Sequence, residues 1–306
     1  MELNRLELGS DIGFGSNKYI LKIDDELIKG KFPTAVARVS VKAKEDKDVY
    51  KFGSGYYRVG ERAVEKTEPT RSIKFLIRHT PLFIQHILQS NNIKKVDELV
   101  VRTGLSLFYY DDYKEAFKNI IKNMDIGVES IKVKLFAQGQ GILYDYLSQN
   151  DATEMDEITV VDIGNYTIDF LHFVREDNNT FRPLKKECFG LPEGAYIIIN
   201  LLKDYIQDEY NITLTEQETD TILQNGYVTI RGRKIDLKDV IEDLKNEYTF
   251  GILNLLKSKT NLIDKTDKVI FGGGGAYFLD KNELPEHSFI SEEPEFANVR
   301  GYLIKQ

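Results

Sequence analysis

One short device occurs twice in this chain, and its repetition limits the fold more than any other feature. Leu6-Glu7-Leu8-Gly9-Ser10-Asp11-Ile12-Gly13 leads into Asn17-Lys18-Tyr19-Ile20-Leu21, and Ile158-Thr159-Val160-Val161-Asp162-Ile163-Gly164 leads into Thr167-Ile168-Asp169-Phe170. Each reads as an apolar strand, an Asp-Ile-Gly bend and a returning strand, a tight hairpin with a carboxylate at its turn. A single Asp-x-Gly is ordinary turn chemistry. Two copies, 151 positions apart in 306 residues, mean that each half of the chain opens on the same device. The expectation is two similar halves facing each other across a cleft.

The bend also suggests chemistry. Glycine lets backbone N–H groups approach a ligand oxygen with no Cβ in the way, a common means of holding phosphate. The adjacent Asp162 can hold Mg²⁺ through water or position a nucleophile. Lys18 follows the first bend by five residues. It reads either as an ammonium beside a phosphate bound there or as a solvated strand lysine.

Composition narrows the alternatives. A chain of 306 residues with 42% hydrophobic content can give two domains a core each. No apolar run approaches the roughly 20 residues of a membrane span, and the opening residues lack the basic start and apolar core of a signal peptide. A soluble, cytoplasmic protein is expected. A formal charge of −8 argues against broad, direct nucleic-acid binding. His79, His86, His172 and His287 show no metal-ligand spacing, and the single Cys188 reads as a structural thiol. Walker A, GxGxxG and GxSxG sequences are all missing.

Taken in order, Lys18 to Ile23 alternates as a strand and Asp24-Asp25 turns it. From Phe32 to Lys51 the pattern is a small β excursion around a charged turn, Lys42 to Asp48. A basic, mostly helical stretch follows, with Arg58, Arg62, Lys66, Arg71, Lys74 and Arg78, read as a solvated face or a contact with an acidic partner. Helices are expected over Pro81 to Ser90 and Tyr113 to Met124, with strands at Leu99-Val100-Val101 and Ile131 to Phe136. Strands alternating with helices predict a mixed sheet with helices packed on it. Gln138 falls where a strand gives way to a helix, the crevice side of an open α/β sheet, and reads as a water-orienting amide or as plain helix capping.

In the second half a helix runs from the Phe189 to Ala195 segment to about Tyr210. A helix from Thr215 to Asn225 opens on a Thr215/Glu218 capping box. A strand pair and a long helix, Asp239 to Leu256, follow. Phe271-Gly272-Gly273-Gly274-Gly275 then carries a strand into four glycines and out as a helix, leaving bare backbone at the strand's carboxyl end. Such a run is conformationally costly for a mere connector, which favours contact with a nucleotide. A short helix starts at Phe296-Ala297-Asn298-Val299-Arg300-Gly301-Tyr302.

Asp11-x-Gly13 with Lys18, Asp162-x-Gly164-x-x-Thr167-x-Asp169 and Phe271 to Gly275, with Gln138 and the Phe296 to Tyr302 segment, resemble the five signature segments of the actin, sugar-kinase and heat-shock chaperone superfamily. Phe32-Pro33-Thr34, Val59-Gly60-Glu61-Arg62-Ala63, Thr103-Gly104-Leu105 and Ala297-Asn298-Val299-Arg300-Gly301 look like the actin-like proteins of the ParM, plasmid-segregation, group. The resemblance implies an α/β actin-like fold of two domains with duplicated mixed five-stranded sheets, flanking helices and a nucleotide cleft between them. Domain I would be 1–155, with a small β subdomain near 32–80, and domain II 156–306, with a helical subdomain near 190–250.

It further implies Mg-ATP in the cleft. Asp11 and Asp162 would be the magnesium and water-positioning carboxylates, and Gln138 would help orient the attacking water. Asp11, Gly13, Phe14, Gly15, Ser16, Asn17 and Lys18, with Gly164, Asn165, Tyr166 and Thr167, would surround the phosphates; Gly272, Gly273, Gly274 and Gly275 would form the adenosine loop. The implied function is an ATPase that polymerises head to tail, with a DNA-bound adaptor protein as a further partner and no membrane association. A small-molecule kinase or phosphatase on the same fold is the alternative. Ser106 stands where many relatives have proline, and the Thr215 to Asn225 helix lacks a Lys-Glu pair near the ribose, so the choice between ATP and GTP stays open.

Overall fold

The computed structural model describes residues 1–40, 49–66, 72–176 and 180–304. The charged turn at 42–48 and Arg71 of the basic stretch lie outside the described residues.

Two hairpins start two sheets. In the first half, β1 (Glu2–Ile12) turns into β2 (Ser16–Ile23) and then β3 (Glu26–Pro33). Three short strands, β4 (Val36–Val39), β5 (Val49–Phe52) and β6 (Gly55–Val59), pair antiparallel as a separate small sheet, the expected β excursion. A 3₁₀ turn at Gly60–Lys66 and α1 (Ile73–Ser90) precede β7 (Lys95–Leu105), α2 (Leu107–Lys122), β8 (Val128–Ala137) and α3 (Gln140–Gln149). The main sheet has the order β3-β2-β1-β7-β8, antiparallel through the hairpins and parallel from β1 to β8.

The second half repeats that plan. β9 (Glu157–Ile163) turns into β10 (Ile168–Arg175), followed by β11 (Phe181–Pro183) and β12 (Phe189–Leu191). Next come α4 (Tyr196–Tyr210), α5 (Glu216–Asn225), the hairpin of β13 (Tyr227–Ile230) and β14 (Arg233–Asp236), and α6 (Lys238–Lys257). β15 (Lys268–Gly272), β16 (Ser288–Ile290) and α7 (Ala297–Ile304) end the described chain. The five-strand path is β11-β10-β9-β15-β16, and β12 adds a sixth strand on β10. Both sheets therefore pair a hairpin with two parallel strands.

Three elements differ from the sequence expectation. Helix α1 begins at Ile73, eight residues before Pro81, and carries that proline inside it. Interior proline ordinarily costs about 3 kcal/mol because it removes a hydrogen bond. Here Leu82, Phe83, Ile84 and Ile87 are fully buried against the first sheet, and that burial outweighs the local defect. Helix α2 starts at Leu107 rather than Tyr113, because Ser106 caps it by accepting from the Phe108 N–H at 3.3 Å. The four glycines lead into a 3₁₀ turn, Gly274–Phe278, and not an α-helix.

Helices α1 and α2 cover one face of the first sheet, and α4 and α6 pack in the core of the second with Val161, Phe170, Tyr248 and Phe271. Helix α3 buries Ile142, Leu143 and Tyr146 with Val160, Leu171 and Ile270 of the second sheet. Helix α7 returns to the first sheet, with Val299 and Leu303 against Gly9 of β1. The two helices cross where Gly301 meets Gly141. A Cβ on Gly301 would stand 1.8 Å from the Gly141 carbonyl oxygen, so only bare backbone fits. Arg300 fastens the crossing through a bidentate ion pair with buried Asp145, at 2.8 and 2.6 Å.

Candidate functional site

Pairing register fixes what each hairpin presents. In the first, Asp11 of β1 stands opposite Lys18 of β2, and their side chains form an ion pair at 3.5 Å. In the second, Asp162 of β9 stands opposite Asp169 of β10. The lysine position of one half is thus a carboxylate in the other. All three acids are buried.

The carboxylates are held by the ends of neighbouring elements. Gln138, just past the end of β8, donates from Nε2 to Asp11 Oδ1 at 2.6 Å. Asn298, in the first turn of α7, donates from Nδ2 to Asp162 Oδ2 at 2.5 Å and accepts the Gly139 N–H on Oδ1 at 2.9 Å. Asp169 Oδ1 accepts from Ser106 Oγ at 2.9 Å and from the Leu107 N–H at 2.7 Å. Burial, and then the negative charge of Asp11, pushes the Asp162 carboxyl up to about 7, against the opposing pull of the Asn298 bond and Lys18. Burial and Asp162 hold the Asp169 carboxyl well above the ordinary range, against the donors at the start of α2.

Desolvated acids beside one another are stabilised by a cation or by a shared proton. Among the described residues no group of three or more His, Cys, Asp and Glu is arranged to hold a metal directly. A cation held at this cluster would be met by carboxylates from both hairpins, Asp11 and Asp162.

The turns are built differently from their simplest reading. Gly13 N–H donates to the Ser16 carbonyl at 3.2 Å and Gly164 N–H to the Thr167 carbonyl at 2.8 Å, so both glycine amides close their own turns. Donors toward a ligand have to come from the residues that follow. Asn17, expected beside phosphate, turns its side chain inward: its Nδ2 donates to Thr34 Oγ1 at 2.9 Å, and Thr34 Oγ1 donates to the Gly13 carbonyl at 2.5 Å. Thr34 N–H also bonds the Gly15 carbonyl at 3.1 Å, which makes the Phe32-Pro33-Thr34 motif a brace for the first turn.

The two turns touch. The Phe14 and Tyr166 rings meet edge to face at 6.0 Å, and Gly15 backs onto the Asn165 side chain. Carbonyls of Gly164 and Asn165 accept the Ala195 and Tyr196 N–H groups at the start of α4, at 2.9 and 3.0 Å, and Tyr166 also bonds Glu216.

Packing explains most of the glycine run. A Cβ at Gly272 would meet Ile142 at 2.4 Å, and one at Gly275 would meet Ile163 at 2.4 Å. Gly273 has φ +79° and lies against Asp162 Oδ1 and the Ile163 carbonyl, each 2.4 Å from a Cβ placed there. Only Gly274 of the four faces open space. Cys188 is half-buried, and burial pushes its thiol up, in keeping with a structural role. No helix among the described residues is long and apolar enough to cross a membrane.

Several residues of this cluster carried no assigned role in the sequence. Asn298 lay within a recognised segment, Asp169 within the second hairpin, and Ser106 stood out only as a departure from proline. Their roles come from partners 136, 63 and 63 positions away, beyond local patterning.

Paired hairpin-led sheets, joined by crossed helices and bringing an acid from each half to one place, define a two-domain protein of the actin-like α/β class. The chain belongs to the actin-like proteins: residues 9–141 match the N-terminal domain of actin like proteins, and residues 160–285 match the C-terminal part of the archaeal MreB-like actin homologue. Its fold is shared with the archaeal actin homologue Ta0583 at a TM-score of 0.77, with 20% identity over 97% of each chain. The same homologue in complex with ADP aligns at 0.72, again with 20% identity and 97% of each chain. A ParM from a 15-stranded filament of Clostridium botulinum aligns at 0.75 with 20% identity over 98% of each chain. No curated protein gives a significant sequence match. The actin-like family read from the sequence is borne out by the two family models, and the likeness to ParM structures is one of fold.

Proposed function

We propose that this chain is an ATPase that binds Mg-ATP between the Asp11 and Asp162 hairpins and polymerises head to tail when the nucleotide is bound. The observation that carries this reading is the convergence of two buried acids, one from each half, Asp11 held by the Gln138 amide and Asp162 by the Asn298 amide. Phosphoryl transfer needs positioning and charge compensation more than covalent chemistry. Magnesium, when bound, neutralises phosphate charge. Asp11 and Asp162 are suited to hold it through water, Lys18 to meet a phosphate oxygen, and Gln138 to orient the attacking water.

The phosphates would lie along the hairpin turns, with Gly15, Ser16 and Asn165 supplying backbone donors. Open space at Gly274 makes it the member of the glycine run best suited to meet the adenosine. The division into domains would fall near 155, between α3 and β9. A neighbour solved with ADP and another solved as a filament support the nucleotide and assembly parts of the proposal. The ParM likeness supports plasmid or DNA segregation through an adaptor protein, in the cytoplasm, as the cellular task.

Asp162→Ala tests the reading. Turnover of ATP should fall by about a hundredfold or more with nucleotide affinity largely kept, since the residue acts mainly on the transition state. Unchanged turnover would refute its role, and failure to sediment as a polymer with Mg-ATP would refute assembly.

A further inference from the structure

The first turn of α2 belongs covalently to the first half of the molecule, yet its N-terminus is held by the second. Asp169 of β10 receives the Ser106 hydroxyl at 2.9 Å and the Leu107 N–H at 2.7 Å, and its carboxylate is 1% exposed. Gly190 of β12, the register partner of Asp169, lies so close that a Cβ would stand 2.3 Å from the Phe108 nitrogen. Two neighbouring strands of the second sheet therefore grip one helical turn. The next residue, Tyr109, packs its ring against Phe14 of the first hairpin at 5.9 Å, and Phe14 in turn meets Tyr166 of the second. The segment from Ser106 to Tyr109 thus touches both carboxylate hairpins, through contacts rather than through sequence.

We infer that this contact is an interdomain latch: Asp169, with Gly190 beside it, fastens the start of α2 to the second sheet and sets how readily the two halves part. Opening the cleft along this edge separates the carboxylate from two donors, one of them a helix N-terminal amide with no alternative partner in its own helix. Asp169 is also the strand partner of Asp162, so movement at the latch is passed directly to the acid facing the cleft. A helix-capping serine that donates to an acid of the opposite half does both jobs at once, and proline at that position could do neither. The latch goes beyond the nucleotide reading and is tested without nucleotide, so the two can fail separately.

Amide hydrogen exchange of the whole, nucleotide-free chain provides the test. Asp169→Ala should speed exchange at Leu107 and Phe108 about tenfold, the effect of losing the acceptor at the helix N-terminus, while the amides of α2 beyond residue 112 keep their rates. Asp169→Asn, whose amide oxygen still accepts, should restore most of the protection. Gly190→Ala approaches from the other strand: its methyl group should pry β12 from Phe108 and raise the same two rates without touching Asp169. Unchanged rates at Leu107 and Phe108 in the alanine variants, or rates that rise equally along all of α2, would overturn the latch.

Discussion

Asn298 holds Asp162 of its own half by a 2.5 Å hydrogen bond, while its amide oxygen reaches the other half and takes the Gly139 N–H at the start of α3. One side chain thus fixes a buried acid and caps a connecting helix.

Asn298→Ala should therefore lose two bonds and leave two buried groups without partners. A loss of about 2–4 kcal/mol in denaturant unfolding is expected, together with at least a tenfold fall in ATP turnover. Asn298→Asp should be worse, because it sets a second negative charge against Asp162. Wild-type stability in the alanine variant would show that the bond does not matter.

The Asp162 carboxyl, pushed up to about 7, binds its proton more tightly in the folded chain than in the unfolded one. Its contribution to stability is complete below the ordinary carboxylate value and is lost as pH rises through about 7. In chelator-treated protein, unfolding free energy measured from about pH 4 to pH 8 should carry a downward component of a few kcal/mol that Asp162→Asn removes. Added magnesium with nucleotide should flatten the same component. Identical pH profiles for the two proteins would contradict the coupling.

Gly301→Ala places a methyl group 1.8 Å from the Gly141 carbonyl oxygen. Backbone cannot give way as a side chain does, so a loss of about 3 kcal/mol or more and a lower Tm are expected by calorimetry. Gly251→Ala serves as the control: it lies inside α6 with nothing within 4 Å of the new methyl group. There the better helix propensity of alanine should add about 0.5–1 kcal/mol.

Tyr302 is fully buried and stacked on Phe136 at 5.0 Å, and its hydroxyl makes no hydrogen bond among the described residues. Tyr302→Phe keeps the stack and removes a desolvated polar group. Thermal unfolding should show a gain of up to about 1 kcal/mol or no change. A clear loss would mean that the hydroxyl is engaged in solution.

What the sequence revealed, and what it hid, follows from the reach of each signal. The two hairpins were legible because turn chemistry and strand alternation act within a few residues, and the Thr215/Glu218 capping box forms as its spacing predicts. Helix α1 was misjudged at Pro81 because burial of Leu82, Phe83 and Ile84 is a tertiary effect that overrides a local rule. The glycine run looked like ligand-binding backbone, yet Gly272, Gly273 and Gly275 are also required by contacts with Ile142, Asp162 and Ile163. Asp169 and Ser106 could not be matched in advance, since nothing in one sequence says that residues 63 positions apart will share a proton donor and an acceptor.

The crossing of α3 and α7 carries a mechanical consequence. Where Gly141 and Gly301 meet, the backbones already touch, so the helices can turn over one another there but cannot slide closer. A scissor motion about that rivet barely displaces the glycines and swings the far edges of the two sheets most. Arg300, one residue from that contact, clasps Asp145 of α3 and the Glu292 carbonyl and so ties the two helices together at the same point.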